Sequence, residues 1–370
     1  MQIKRYIADF VKQEFIVVIF LALLVLLSVF FPVHVTEFPA MVDWDTIRLL
    51  TGLLILATGI KESGYFDVIS QRILKKIGNE RTLAIFLTFF SVILSTFLTN
   101  DIALFIIVPI TLGLRNLIRI DISKLIIFEA IAVNAGSALS PIGNPQNIFL
   151  WQKWSISFMN FIVEMTPSVI VLLISLLLFL YFIFPAKKIR FSDHHNTELA
   201  MNKTLLWFSG LMMIIFLLSV EIQKETEVLI FIMVFYLISY RKVLKKTDWL
   251  LLFLFILVFI DFHIISTLPF VSEGISFLKP DNAGDVFIFS GIISQFISNV
   301  PASVFVSKFS TEWQAIAYGV NIGGNGLVIG SLANIIALRM TKSKKIWIDF
   351  HKYSIPYFLF TATVIYFLIY

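Results

Sequence analysis

Hydrophobic residues occur along this chain in long blocks that are separated by short polar segments. A helix needs about 20 mostly apolar residues to cross the hydrocarbon core of a bilayer, and many of the blocks approach that length. They lie near 15–31, 45–61, 122–139, 157–184, 204–220, 227–240, 248–265, 314–338 and 353–370. The pattern predicts an all-α polytopic membrane protein in which these blocks are spans.

Two other apolar regions, 82–115 and 285–310, are each interrupted near the middle by a polar tip. The tips are Thr99–Asp101 and Ser298–Pro301. Polar, irregular backbone at membrane depth is tolerated where protein or water surrounds it, as in re-entrant segments. We therefore predict two re-entrant hairpins, each of which enters the membrane and leaves on the same side.

Composition excludes several classes of function. The chain is 58% hydrophobic and 14% charged, whereas a soluble domain is nearer half apolar and a quarter charged. The chain has no Cys, which excludes disulfides and thiolate metal sites. The sequence has no nucleotide-binding motif and no cluster of catalytic side chains. We expect neither an enzyme nor a cofactor, apart from Na⁺ as a candidate coupling ion.

The distribution of the 29 Lys and Arg residues indicates an orientation. If the N-terminus is cytoplasmic and neither hairpin crosses, most of these residues fall in cytoplasmic loops, in agreement with the positive-inside rule. If either hairpin crossed, the bias would be lost. We predict a multi-pass protein of the cell membrane with its N-terminus inside and its C-terminus outside. The net charge of +5 is then an orientation signal that needs no nucleic-acid partner.

The chain contains an internal repeat in two pairs of segments. "FFSVILSTFLTN" (89–100) resembles "IFSGIISQFISN" (288–299) at an offset of 199, with six identities that include Ser95 with Ser294 and Asn100 with Asn299. "AVNAGSALSPIGNPQNI" (132–148) resembles "GVNIGGNGLVIGSLANI" (319–335) at an offset of 187. The recurring residues of this pair are Val133, Asn134, Gly136, Ile142, Gly143, Asn147 and Ile148, matched by Val320, Asn321, Gly323, Ile329, Gly330, Asn334 and Ile335. Chance matching of apolar segments would not readily align Asn, Gly and Ser in order.

The repeat predicts the organisation of the chain. The first repeat is 1–185, with hairpin 82–115 and broken helix 122–150; 186–226 is a linker with an extra span; and the second repeat is 227–370, with hairpin 285–310 and broken helix 314–338. Five spans separate the hairpins in the predicted topology, so the two repeats have opposite orientations. Inverted repeats with broken helices are typical of secondary transporters.

The segments "SPIGNPQN" and "LVIGSLAN" lie where the two helices are predicted to be broken inside the membrane. A break exposes backbone N–H and C=O groups, each of which costs several kcal/mol in lipid unless protein, water or a ligand satisfies it. Freed carbonyls coordinate cations, and half-helix N-termini attract anions. The alternative is that Gly and Pro here only permit kinks and close packing. Two breaks in matching positions, each with an Asn, favour a binding site.

These residues resemble those of the ion transporter superfamily, which includes arsenite permeases, divalent-anion/sodium symporters, citrate–metal transporters and some sodium/proton antiporters. The family-like segments are "TND" followed by "ALFIIVPI", "SPIGNPQN", "SNVPA", "GGNGLVIGSLAN" and "GLLILATGIKESGYFD", which together cover both halves. The resemblance implies a scaffold domain and a transport domain that moves like an elevator. The expected partners are the lipid bilayer, a small-molecule or ion substrate, and a second copy of the chain in a homodimer.

The resemblance also implies site residues. In the symporters of this superfamily, cations bind between each hairpin tip and the adjacent helix break. Carried over, one cation site would use Thr99, Asn100, Gly143 and Asn144, and the other Ser298, Asn299, Gly330 and Ser331. The substrate would bind between the tips, near Asn100, Asp101, Pro145, Asn299 and Asn325.

Asp101 departs from the pattern of the dicarboxylate symporters, which favour a hydroxyl residue at the third position of each tip. The equivalent position in the second tip is Val300. A bare carboxylate would repel a dianion by several kcal/mol at low dielectric. Either Asp101 is protonated, or it binds a cation, or the substrate is not a simple dicarboxylate. The triplet "TND" is normal in the arsenite, citrate–metal and sodium/proton branches.

Other ionisable residues lie in apolar surroundings. Glu129 lies in the middle of "LIIFEAIAVNAG", and an intramembrane carboxylate is a functional candidate by default, although it can also pair with a neighbouring helix. Glu164, Asp261 and His263 are weaker candidates that can equally be polar contacts of a scaffold or residues at a span boundary.

The sequence thus favours a secondary active transporter that moves a small anion or oxyanion, such as a carboxylate, a citrate–metal complex or an arsenite-like species, coupled to Na⁺ or H⁺. The alternative is a cation/proton antiporter that uses Asp101 as the carrier group. A channel or a membrane-embedded enzyme is less favoured, because neither needs two opposed hairpins with two broken helices.

Overall fold

The computed structural model describes residues 14–31, 34–65, 68, 77–114, 120–189, 201–269, 271, 273–274, 282–341 and 343–370. Regular structure within these ranges is helical, apart from one isolated antiparallel bridge between Asn79 and Lys188. The all-helical prediction is therefore confirmed for the described part of the chain. Residues 190–200 of the predicted linker lie outside it.

In the described part of the first half, three helices are followed by a hairpin, a broken helix and a long final helix. The helices are α1 (Phe15–Phe30), α2 (Phe38–Met41), α3 (Trp44–Glu62), α4 (Glu80–Phe97), α5 (Asn100–Gly113), α6 (Ile122–Ser137), α7 (Pro145–Lys153) and α8 (Phe158–Ile183). Helices α4 and α5 form the predicted hairpin, and α6 and α7 are the two pieces of the predicted broken helix. A short 3₁₀ turn, Val35–Glu37, precedes α2.

The second half repeats this order of elements after one additional helix, α9 (Lys203–Glu221). The helices are α10 (Glu225–Ser239), α11 (Arg241–Lys246), α12 (Trp249–Thr267), α13 (Ala283–Ile297), α14 (Asn299–Val306), α15 (Trp313–Gly323), α16 (Leu332–Met340) and α17 (Ile346–Ile369). Helices α13 and α14 form the second hairpin. A 3₁₀ turn, Val328–Gly330, lies in the break between α15 and α16.

Helices α3 and α12 begin in the same way, although neither lies in the segments where the sequence repeats. Asp43 and Asp248 are their N-caps, and each carboxylate accepts a hydrogen bond from the backbone N–H three residues later. The indole Nε1 of Trp44 donates to the carbonyl of Pro39 at 2.8 Å, and that of Trp249 donates to the carbonyl of Leu244 at 2.7 Å. Both bonds reach back five residues, so the likeness of the two halves extends to these helices.

Five helices in the described ranges are long and apolar enough to cross a membrane, judged by length and composition. They are Glu80–Phe97, Phe158–Ile183, Lys203–Val220, Trp249–Thr267 and Ile346–Ile369. Phe182, Trp207 and Phe367 on their surfaces are 80%, 76% and 78% exposed. Such exposed apolar side chains fit a lipid environment, which is apolar itself. The first of the five, α4, is one arm of the predicted re-entrant hairpin, whose re-entrant course stays a prediction.

The last helix begins earlier than its apolar block suggests. Residues 353–370 were predicted as the span, but α17 starts at Ile346. Its first two turns carry Asp349, which pairs with Lys352 at 2.5 Å and with Lys345 at 3.9 Å. Spacings of three and four residues place these charges together on one exposed face of a helix, and hydropathy alone does not reveal such a polar extension.

Each hairpin packs against the first piece of the broken helix in its own half, with α4 on α6 and α13 on α15. Glycines make the close approach possible. A Cβ on Gly136 would lie 2.5 Å from Ser95 Oγ, and a Cβ on Gly323 would lie 1.8 Å from Ser294 Oγ. These contacts are equivalent under the two sequence offsets, so the repeat is preserved in the packing.

Candidate functional site

The first hairpin tip is joined to the first helix break by backbone hydrogen bonding. Helix α4 ends at Phe97, and α5 begins at Asn100 after Thr99. The N–H of Asn100 donates to the carbonyl of Gly143 at 2.9 Å. The side-chain Oδ1 of Asn100 accepts from the N–H of Asp101, also at 2.9 Å. The predicted residues Asn100 and Gly143 are therefore in direct contact.

Side-chain amides satisfy the carbonyls that the first break leaves free. Asn144 caps α7 by accepting from the N–H of Asn147 at 2.8 Å. Its Nδ2 donates to the carbonyl of Ser137 at 3.1 Å. Asn147 Nδ2 lies 3.2 Å from that carbonyl and 3.1 Å from the carbonyl of Ser140. These bonds provide partners for the backbone groups that would be costly in an apolar interior.

Gly143 has no room for a side chain. A Cβ there would lie 2.3 Å from the carbonyl oxygen of Ser137 and 2.8 Å from that of Ser95. Both obstacles are backbone atoms and could not move aside cheaply. The glycine in "SPIGNPQN" is thus required by the close approach of three backbone segments.

The second tip repeats the first with a different turn. Ser298, which precedes α14, has a φ of 72°, a left-handed conformation that is strained for a residue with a side chain. The Oδ1 of Asn299 accepts from the N–H of Val300 at 2.9 Å, as Asn100 does from Asp101. Gly324 lies beside this tip, since a Cβ there would be 3.4 Å from Asn299 Nδ2 and 3.5 Å from the Cβ of Ser331.

Two asparagine pairs link the broken helix of one half to that of the other. Asn134 Nδ2, before the first break, donates to Oδ1 of Asn334, after the second break, at 2.9 Å. Asn321 Nδ2, before the second break, donates to Oδ1 of Asn147, after the first break, at 2.7 Å. The offset of 187 converts one pair into the other.

Two further pairs of bonds obey the same correspondence. Asn144 Nδ2 donates to Asn321 Oδ1 at 2.8 Å, and the equivalent Ser331 Oγ donates to Asn134 Oδ1 at 3.0 Å. Asn147 Nδ2 donates to the carbonyl of Ser137, as noted above, and Asn334 Nδ2 donates to the equivalent carbonyl of Gly324 at 2.8 Å. The centre of the molecule is thus a polar network with approximate two-fold correspondence.

Several polar atoms near this network are buried without a hydrogen-bond partner among the described residues. They are Thr99 Oγ1, Asp101 Oδ1, Gln146 Oε1 and both side-chain polar atoms of Asn325. Buried polar groups are nearly always satisfied, so such atoms need a ligand, an ion or water. Three of these four residues, Thr99, Asp101 and Asn325, were predicted as site residues.

Asp101 lines a cavity of about 420 Å³ between its hairpin and helix α3. Lys61, Glu62, Lys246 and Asp248 also line it. Lys246 Nζ lies 2.7 Å from both carboxylate oxygens of Glu62, at the edge of the cavity. The side chain of Asp101 is only 5% exposed, so its carboxylate lies at the buried end of a charged cavity.

A second cavity of about 300 Å³ adjoins the other hairpin tip and is almost entirely apolar. Ser298, Val300 and Pro301 of the tip line it, together with residues of α1 and α12 such as Phe20 and Val258. The two tips thus have different surroundings, a charged cavity at Asp101 and an apolar one at Val300.

The structure places all of the predicted site residues in the buried centre or on the tips beside it. Pro145 is the first residue of α7, next to Asn144. The structure adds residues that the sequence analysis did not include in the site: Thr96, Asn134, Gln146, Asn147, Gln295, Asn321 and Asn334. Four of these are the recurring asparagines, whose repetition was a usable signal. Thr96 and Gln295 occupy equivalent positions but differ in type, which hides their common role.

The other ionisable candidates lie apart from the network. Glu129 is fully buried on α6 and accepts a hydrogen bond from Thr111 on α5. Glu164 accepts from Gln314 Nε2 at 2.7 Å and links α8 to α15. Asp261 is buried on α12 without a partner for either oxygen among the described residues, and His263 Nδ1 lies 3.4 Å from Lys308 Nζ.

Comparison with known families gives one extended match. Residues 12–312 match the model of the family described as "Citrate transporter". The matched range includes both hairpins and the first broken helix, so it covers most of the site described above.

The chain is also similar to several individual proteins. It is 40% identical to the inner membrane protein YbiR of Escherichia coli K12 over 343 residues, which cover 93% of this chain and 92% of that protein. It is 36% identical to an uncharacterized transporter of Methanocaldococcus jannaschii over 322 residues, 86% of each chain. An uncharacterized transporter of Mycobacterium tuberculosis H37Rv is 24% identical over 350 residues, 85% of this chain and 82% of that protein.

Proposed function

The chain belongs to the citrate transporter family, a family of membrane transporters, and from that premise we propose that it is a secondary active transporter. The proposed substrate is a small anion or oxyanion, namely a carboxylate, a citrate–metal complex or an arsenite-like species. Transport across the cell membrane is coupled to Na⁺ or H⁺. The chain acts as a homodimer whose transport domain moves against a scaffold.

The observation that carries this proposal is the pair of helix breaks that meet in one hydrogen-bonded centre beside unsatisfied polar atoms. Asn134 and Asn321 join the two breaks, and Asp101 Oδ1 and both side-chain polar atoms of Asn325 are buried there without partners among the described residues. A stable fold does not need buried polar atoms without partners, but a binding site does. Discontinuous helices around a central site are the arrangement of secondary transporters.

The charged cavity supports the predicted orientation. The cavity that contains Asp101 is also lined by Lys61 and Lys246, which the positive-inside rule assigns to the cytoplasm. We therefore propose that Thr99–Asp101 is reached from the cytoplasm and that the conformation is inward-facing. The inverted relation of the two repeats belongs to the same proposal.

The proposed site has two kinds of contact. Thr99, Asn100, Gly143 and Asn144 hold a coupling cation at the first tip, and Ser298, Asn299, Gly330 and Ser331 hold one at the second. Substrate binds between the tips, near Asn100, Asp101, Pro145, Asn299 and Asn325. Amide side chains offer both donors and acceptors, so this set can bind an oxyanion and cations together.

A cation/proton antiporter is the second candidate, and the surroundings of Asp101 favour it. Its Oδ1 is buried without a hydrogen-bond partner in the described part of the chain, in a cavity that is also lined by Asp248, Glu62 and two lysines. A lone buried carboxylate at the end of such a cavity is suited to carry a proton or a cation.

Uptake into proteoliposomes under imposed pH and Na⁺ gradients tests both candidates. We expect Asp101→Asn to bind substrate but to lose its dependence on the coupling gradient. Asp248→Asn is a matched control, because it removes a charge from the same cavity while Asn still caps α12. A screen by thermal shift against carboxylates, sulfate, phosphate, arsenite, Na⁺ and Li⁺ identifies the ligand, since binding stabilises the folded protein. Gradient dependence that persists in Asp101→Asn would contradict the coupling role.

A further inference from the structure

The loop of the second break is held from one side by Gln295 of α13. Gln295 Nε2 donates to the carbonyl of Gly323 at 2.7 Å, and its Oε1 accepts from the N–H of Leu327 at 2.7 Å. A Cβ on Gly326 would lie 2.1 Å from the same Oε1. One side chain therefore fixes both ends of the segment 323–327, and while it holds these bonds it leaves no room for a side chain at Gly326.

Helix α17 holds the same loop from the other side. Ser354 Oγ donates to the carbonyl of Gly326 at 2.7 Å. The N–H of Val328 donates to Nε2 of His351 at 3.3 Å. Asn325, the residue before Gly326, is fully buried, and neither of its side-chain polar atoms has a partner among the described residues. The loop is thus clamped around an amide that is free to bind a ligand.

The geometry requires His351 to be neutral. Its Nδ1 lies 2.8 Å from the carbonyl oxygen of Trp347, which can only accept, so Nδ1 carries a hydrogen. Its Nε2 faces the N–H of Val328, which can only donate, so Nε2 must offer a lone pair. A protonated imidazole has a hydrogen on both nitrogens and would place two donors face to face.

We propose that His351 is a positioning residue that, as a neutral imidazole, holds the second break in the shape that presents Asn325, and that its protonation releases this break. In this role His351 regulates the proposed transport site, and this part of the proposal rests on the proposed function. The bond to Val328 is present while the imidazole is neutral and is lost when both ring nitrogens carry hydrogen, so acidification weakens ligand binding at Asn325.

Charged and titratable groups near His351 lie on α17 itself and on the helices packed against it. Asp349 and Lys352 of α17 are paired with each other at 2.5 Å. The helices packed against α17 carry Lys124 and Glu129 on α6, Glu164 and Tyr181 on α8, and Tyr318 on α15. In the described part of the chain, no hydrogen bond or ion pair joins any of these groups to His351, and the turn Val328–Gly330 carries no ionisable side chain.

Hydrogen–deuterium exchange on purified full-length protein tests the clamp without a substrate. We expect the amide of Val328 to exchange about fivefold faster at pH 5.5 than at pH 8, after correction for intrinsic rates, because one hydrogen bond is lost. His351→Gln retains an acceptor but cannot titrate, so its corrected exchange should not depend on pH. His263→Gln is the matched control and should show the same pH dependence at Val328 as the wild type. The first break, 138–144, should show no change in corrected exchange with pH in any of these proteins.

Either of two results would overturn the proposal: exchange at Val328 that does not change with pH in the wild type, or a pH dependence that survives in His351→Gln. His351→Leu, which lacks the acceptor, should exchange rapidly at every pH, and slow exchange in that variant would also overturn it. Thermal shifts with citrate and Na⁺ at both pH values provide a second readout. If neither probe binds at any pH, citrate and Na⁺ are excluded as ligands of the proposed site, whereas the exchange experiment still decides the role of His351.

Discussion

The two helix breaks share a hydrogen-bonding plan but differ in what surrounds it. In both, an Asn before one break is bonded to an Asn after the other, and the last carbonyls of the broken helix accept from side chains. The first break faces a tip that carries Asp101 and a charged cavity. The second faces a tip that carries Val300 and an apolar cavity, and helix α17 braces its loop.

The difference shows which parts of the site are structural and which are free to specialise. Backbone groups exposed by a break must find partners wherever they lie in an apolar protein, so several of the bonds that satisfy them recur in both halves. The side chains that face the cavities are not needed to satisfy these backbone groups. Asp101 and Val300 could therefore diverge without loss of the fold, and this divergence places the candidate coupling group at one tip only.

The largest effect should follow from removing the central asparagines, which the comparison treats as equivalent. Asn134→Ala would leave Asn334 Oδ1 and Ser331 Oγ short of partners. Asn321→Ala would do the same to Asn147 Oδ1 and Gln146 Nε2. Each buried group left unsatisfied costs about 1–3 kcal/mol, so both variants should lose several kcal/mol of stability. Thermal unfolding in detergent measures this loss.

The exposed Asn160 on α8 provides the control for these two variants, and Asn160→Ala should change the unfolding temperature little. The losses of stability in Asn134→Ala and Asn321→Ala should also be similar, because the two residues occupy equivalent positions. A large loss in one variant beside a neutral result in the other would show that the two breaks are not equivalent.

A smaller and unequal effect is expected where the halves use different residues for one task. Gln295 and Thr96 occupy equivalent positions and donate to the equivalent carbonyls of Gly323 and Gly136, at 2.7 and 3.1 Å. Gln295 also accepts from the N–H of Leu327, whereas Thr96 donates with a single hydroxyl. A net hydrogen bond contributes about 0.5–1.5 kcal/mol, so Gln295→Ala should destabilise more than Thr96→Ala by about that amount. Chemical denaturation of the two variants would decide this, and equal losses would contradict it.

The sequence predicted the breaks and the tips because both depend on local chemistry. Two Pro and one Gly within the eight residues of "SPIGNPQN" disfavour a continuous helix, and Asn144 is a natural N-cap for the helix that follows. The recurrence of Asn at offset 187 also indicated which residues matter. Asn100 and Asn299 recur at offset 199, and the resemblance to the ion transporter superfamily assigned them, with Gly143, to the site.

The partners of these residues could not be predicted, because they come from the other half of the chain. Nothing near Asn134 indicates that its amide meets Asn334, which is 200 residues away. The pairing depends on how the two broken helices cross, and hydropathy carries no information on that crossing. His351 and Gln295 were missed for the same reason, since each acts on a backbone group of a distant loop.

The smallest effect should come from Ser354, which braces only the second break. Ser354→Ala removes one hydrogen bond to the carbonyl of Gly326 and should cost about 0.5–1.5 kcal/mol. The loss should be local, because Gly326 belongs to the loop that α17 braces, and the first break has other supports. Hydrogen exchange should therefore quicken in residues 324–330 and stay unchanged in residues 138–144. Thr361→Val is the matched control on the same helix, since its hydroxyl bonds only to carbonyls of α17 itself. Faster exchange at both breaks in Ser354→Ala would mean that the two breaks open as one unit, and the asymmetry described here would then lie in their chemistry alone.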